Sequence, residues 1–281
     1  MKLHTLAFAA LILMGSSMVA HAQILTISIT NLTQGMYFTP RLVIAHNDTV
    51  DAFEPGINAS SALAWLAEAG VIDDAQNAAS SGQNFEALLG PASTDNGSNR
   101  WQRFGGLLAP ATTSSNYSFD DGDYEYLSIL SMLVPTNDAF LGLDSIRIPT
   151  EPGTYTYNVN AYDAGSEAND EINPAANNGA DGSSRTITEA GTGNALGDYG
   201  VPGMAAPPPT QANLQTDSTA TGVAIQIDGS NQLEDATDGP VHIHRNVLGD
   251  TSSNAGASDL DSRIHRWLNP VARITITVPA S

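Results

Sequence analysis

The amino-acid sequence predicts an all-β protein: an antiparallel β-sandwich in one domain, with short helices confined to its loops. Three observations carry that expectation. Segments alternating with period 2 lie near both ends of the domain, at residues 24–30 and 271–278. The strand-like segments between them are irregularly spaced. They do not alternate with helices of about 10–15 residues, as a doubly wound parallel fold requires.

Each element has its own local reason. In Ile24–Thr30 (ILTISIT), Leu25, Ile27 and Ile29 fall on one side, the pattern of a half-buried strand. Asn31–Gly35 makes a turn, and Arg41–His46 (RLVIAH) is a second short strand behind Pro40. Ser60–Gly70 changes period: Leu63, Leu66 and Ala67 recur at helical spacing, Ser60 caps the start and Gly70 ends it. Asn84–Gly90 is a second short helix, and Asp95–Asn99 is polar loop. Tyr117–Asp123 leads into the largely apolar strand Glu125–Val134, which Pro135–Asp138 ends. Thr154–Tyr162 alternates with Tyr155, Tyr157, Val159 and Ala161 on one face. Asn173–Gln215 is rich in Gly, Ala, Asn, Ser and Pro and is expected to be a long surface loop, part of an insertion over about 173–238. Val223–Asp228, Val241–Val247 and Val271–Val278 complete the expected strands.

The first residues have the make-up of an export leader. Lys2 is the positive start, Leu6–Met14 is apolar, and Ala20-His21-Ala22 fits a small-x-small cleavage site. The apolar run is too short for the ~20 residues that span a bilayer. The expected organisation is therefore a leader over 1–22 and one domain over 23–281, in a secreted protein of the periplasm, cell surface or medium. Lys2 is the only lysine, so the cleaved chain carries nine arginines against 30 acids, a net charge of −21. That balance argues against a nucleic-acid partner, which needs clustered basic residues. The chain has no cysteine, so disulfides, zinc–thiolate sites and cysteine nucleophiles are excluded. No other segment is long and apolar enough to span a membrane.

Two clusters carry candidate chemistry. Asp163-Ala-Gly-Ser-Glu167 begins where the Tyr155 strand ends. Calcium takes several oxygen ligands at adjustable distance, and a loop containing Gly165 can bend Asp163 and Glu167 around one ion. Asp138, past the end of another strand, is a third ligand if the two strand ends are neighbours. The same residues also fit a solvated acidic loop, since 30 acids make such clusters common. The second cluster is His242 and His244, which alternate in a strand and so share a face, with His265 and His46 as further candidates. Three imidazoles suit zinc or copper with an open position for water, which makes an exported metalloenzyme the alternative function. Packed or hydrogen-bonded histidines are the plainer explanation. Asp120–Asp123 lacks the spacing of an EF-hand and is expected to be a turn. Trp65, Trp101 and Trp267 are expected in packing, since aromatics are only 6% of the chain and give little support to a sugar-stacking surface.

Several stretches resemble a known family. Pro135-Thr-Asn-Asp138-Ala-Phe140-Leu-Gly142 is similar to the S-P-D-W-x-x-G stretch of spondin N-terminal domains, and Asp163-Ala-Gly-Ser-Glu167 to their D-A-G-T-D loop. Leu32–Pro40, Val241–Arg245 and His265–Arg273 resemble bacterial secreted members. The resemblance implies a C2-like sandwich with a calcium site built from Asp138, Asp163 and Glu167. It also implies a non-enzymatic role in adhesion or matrix association, with surface polysaccharide, anionic lipid or matrix protein as partner. Glu167 replaces an Asp, which a calcium site tolerates because the oxygen donor remains. Ala139 stands where the animal motif has Trp, so the role of that ring is lost or passes to Phe140.

Overall fold

The computed structural model describes residues 22–76, 81–134, 136, 138–166, 239–249, 260 and 262–280. The expected leader (save Ala22), Glu167, the strand over 223–228 and the long loop lie outside the described residues. Within these residues the fold is mostly antiparallel β-structure in two sheets, with two short helices.

The first sheet has four strands in the order β5 (Tyr117–Asp120), β1 (Ile24–Asn31), β11 (Ala272–Val278) and β8 (Gly153–Val159). The two terminal strands pair directly, with Ile27 opposite Ile276 and Ile29 opposite Ile274. Alternation then decides which side is buried: Leu25, Ile27, Ile29, Ile274 and Ile276 are all fully enclosed. The second sheet has seven strands. Its path runs β10 (His242–Ile243), β9 (Ala161–Asp163), β7 (Ala139–Arg147), β6 (Tyr126–Val134), β3 (Arg41–His46) and β4 (Asn99–Phe104), and β2 (Tyr37–Phe38) pairs with β6.

Both faces of this larger sheet are covered. One face packs against the four-stranded sheet through Val43, Ala45, Leu127, Ile129 and Leu141. The other carries Leu42, Ile44, Leu130 and Phe140 under α1 (Ser61–Ala69) and α2 (Phe85–Leu89). Burial on two faces explains why β3 and β6 read as continuous apolar runs rather than alternating ones. Helix α1 starts where the Ser60 side chain accepts from the Leu63 amide and stops at Gly70, which is left-handed at φ 65°. Helix α2 is capped in the same way by Asn84.

Three expectations are corrected. The segment over 154–162 is not one strand. It breaks at Asn160 and changes sheets: β8 pairs with β11, while β9 pairs with β7 and β10. Its Tyr155, Tyr157, Val159 and Ala161 nevertheless all pack on the core between the sheets. The strand over 241–247 shrinks to His242–Ile243, because its partner β9 is three residues long and Asn246, at φ 83°, turns the chain towards Trp267. Strands β4 and β7 form over stretches for which the sequence pattern predicts no element. Phe140 does not take the place of a ring at Ala139, because the two face opposite sides: Ala139 lies in the inter-sheet core and Phe140 in the helix-side core, against Phe53 and Tyr162.

Candidate metal centre

The site lies where β7 begins and β9 ends. These strands pair antiparallel with Ala139 opposite Asp163, and the Ala164 amide donates to the Asp138 carbonyl at 3.2 Å. The two strand ends are therefore neighbours, which brings Asp138 and Asp163 within one register step of each other. Alternation sends their side chains to different faces. Asp163 leaves on the inter-sheet side with Ala139, and Asp138 on the helix side with Phe140 and Ala164.

The turn after β9 brings the carboxylates back to a common place. Gly165 is left-handed at φ 67°. Its amide donates to Asp163 Oδ1 at 2.8 Å, and the next amide, Ser166, donates to Asp138 Oδ2 at 2.8 Å. Two fully buried carboxylates thus hold consecutive N–H groups of one turn. The arrangement needs glycine: a Cβ on Gly165 would collide with the Gly239 carbonyl oxygen, and the left-handed backbone adds its own penalty. Gly165→Ala is expected to cost at least about 2 kcal/mol in urea unfolding.

A third carboxylate joins from α1. Glu68 is buried and next to Ser166 and Asp138. Burial pushes its carboxyl up to about 8; the hydrogen bond with Ser166 opposes that rise and the Asp138 charge adds to it. Sequence reasoning missed Glu68. The available signal was its isolation, since it is the only charge in the otherwise apolar helix SALAWLAEA. Glu167, the third expected ligand, lies outside the described residues.

The other oxygen of Asp163 faces the histidines. His242 Nε2 is 3.7 Å and His244 Nε2 3.8 Å from Asp163 Oδ2, both beyond hydrogen-bond length. Their neutral tautomers are opposite. His242 Nδ1 lies 3.0 Å from the Pro240 carbonyl and must donate to it, leaving a lone pair on Nε2. His244 Nδ1 accepts from the Asn246 amide at 3.0 Å, so its proton is on Nε2. His265 is fully buried and His46 is remote, held between the Asn47 carbonyl and Ser128 and stacked on Tyr126. The structure gathers His242 and His244 around an aspartate; His46 takes no part.

Among the described residues, no group of three or more His, Asp or Glu side chains could hold a metal ion by itself. Asp138 and Asp163 supply buried carboxylate oxygens, the kind of donor that hard cations take. Among the described residues no helix is long and apolar enough to cross a membrane. A family model described as Spondin_N matches residues 31–190, more than half of the chain, including Asp138, Asp163 and Glu167 but ending before the histidine pair and β11. No curated protein matches the chain.

Proposed function

Because the chain belongs to the spondin N-terminal domain family, we propose that it is an exported, non-enzymatic, calcium-binding β-sandwich of the C2-like spondin type, acting in adhesion or matrix association. One observation carries the reading: Asp138 and Asp163, far apart in sequence, hold consecutive amides of a single glycine-dependent turn. These two residues would hold the ion, with Glu167 as third carboxylate, and the ion would tie the loop before β7 to the turn after β9 and stiffen that end of the sandwich. Surface polysaccharide, anionic lipid or matrix protein as partner follows by fold-level analogy with C2 domains.

The test is thermal melting in excess calcium and in chelator. An ion that binds only the folded state at about 100 times its Kd stabilises by about 2.7 kcal/mol. That predicts a rise in midpoint of about 5–10 °C for a domain of this size. Asp163→Asn and Asp138→Asn are expected to abolish the shift. An unchanged midpoint in the wild-type protein would remove calcium from the account.

A nitrogen-ligated ion such as zinc or copper is the second reading, and the His242 Nε2 lone pair facing Asp163 favours it. Metal analysis of protein purified without chelator separates the two. Calcium alone supports the binding module. Stoichiometric zinc or copper that disappears in His242→Ala supports the histidine-ligated centre.

A further inference from the structure

At the opposite end of β1 from the Asn31 turn, Asp121 is all but enclosed, with 2% of its surface exposed. It follows β5 in a tight turn, in which Gly122 and Asp123 are both left-handed. Its neighbour Asp120 has Arg100 at 3.2 Å. Among the described residues no arginine or histidine forms an ion pair with Asp121. Its Oδ1 instead accepts from the backbone nitrogen of Gln23 at 2.8 Å. Gln23 is held at two further points: its carbonyl accepts from the Asp121 amide at 3.1 Å, and its side-chain Nε2 donates to the Pro149 carbonyl at 2.8 Å.

Gln23 is also the residue that would follow the small-x-small site Ala20-His21-Ala22, and Ala22 is exposed. We propose that Asp121 is a built receptor for the α-ammonium group created at Gln23 when the leader is cut after Ala22. Hydrolysis adds water across the Ala22–Gln23 bond. The carbonyl carbon keeps the hydroxyl and becomes a carboxylate, and the nitrogen gains protons to become a cation. The inference rests on the export reading and is independent of the calcium site.

The physical gain comes from charge. A neutral amide compensates a buried carboxylate only in part, and burial is what pushes the Asp121 carboxyl above its ordinary range. A cation at the same 2.8 Å makes a charge-assisted bond of roughly twice the strength. Processing therefore tightens β1 against β5 at the chain's new end. The same pair protects the terminus chemically. A terminal glutamine cyclises when its neutral amine attacks the side-chain carbonyl carbon and ammonia leaves. At Gln23 the nitrogen is kept protonated by Asp121, and the side-chain amide is tethered to Pro149.

Intact-mass measurement of the exported protein is expected to show a chain starting at Gln23 without loss of ammonia. Melting is then compared for the mature chain and for a chain retaining Ala22, each as wild type and as Asp121→Asn. The mature wild type is expected to melt about 2–6 °C above the extended form. Asp121→Asn is expected to erase that gap. A different terminus, a cyclised Gln23, equal midpoints, or a gap that persists in Asp121→Asn would each overturn the proposal. Should Asp121→Asn not fold, acetylation of the mature terminus replaces it, with the same loss of the gap expected and an unchanged midpoint contradicting the ion pair. Calcium titration of the same samples reads the other site separately.

Discussion

Trp101→Ala is expected to lower folding stability by about 3–5 kcal/mol. Trp101 is fully enclosed in β4, opposite Ile44 of β3, and packs into the core beneath α1 and α2. Removing the ring leaves a cavity between sheet and helices that rigid neighbours cannot close. It also deletes the indole donor that reaches the Gly90 carbonyl at 2.7 Å, at the end of α2. Urea unfolding measures the loss, and the melting midpoint is expected to fall by about 10 °C or more. Trp101→Phe fills most of the space but leaves the Gly90 carbonyl without its indole donor, so about 1–2 kcal/mol should separate it from wild type. A loss below about 1 kcal/mol in Trp101→Ala would show that the helices do not depend on this ring.

The second large effect is a pH dependence centred on Glu68. Its carboxyl is raised from an ordinary 4.5 to about 8 when folded, first by burial. A raised folded value means the folded state binds the proton more tightly than the unfolded chain. The stability from this group is complete below about pH 4.5, declines between 4.5 and about 8, and is gone above that. The full swing is on the order of 5 kcal/mol. In chelator, Glu68→Gln is expected to match the wild type near pH 4.5 and to exceed it by several kcal/mol near pH 9, because an amide keeps its neutrality. Urea titrations at the two pH values measure the divergence. Parallel curves would show that Glu68 does not remain buried as a proton-bearing acid.

Much of the fold is legible because its causes are local. Strands β1 and β11 follow from periodicity and β3 and the body of β6 from unbroken apolar runs, while Ser60, Gly70 and Asn84 announce the limits of α1 and α2 through caps that operate within one turn. Strands β4 and β7 are illegible for a common reason. β4 reads NRWQRF, and its strand state comes from pairing with β3 rather than from alternation. β7 is buried on both faces only in its first half, and the register shift between Leu127 and Ile129 in its partner β6 breaks the pattern that alternation would show.

The candidate site divides in the same way. The acidic motifs at Asp138 and Asp163 and the freedom of Gly165 are properties of short segments, and the sequence by itself determined them, together with the all-β class and the missing thiol chemistry. The tertiary structure decided the rest. It set the step between β7 and β9 that makes Asp138 and Asp163 neighbours. It brought Glu68 to the same turn from a helix about 95 residues earlier and turned His242 and His244 towards Asp163. Those contacts depend on strand register and helix docking, which are fixed by burial summed over the whole core rather than by any one stretch of residues.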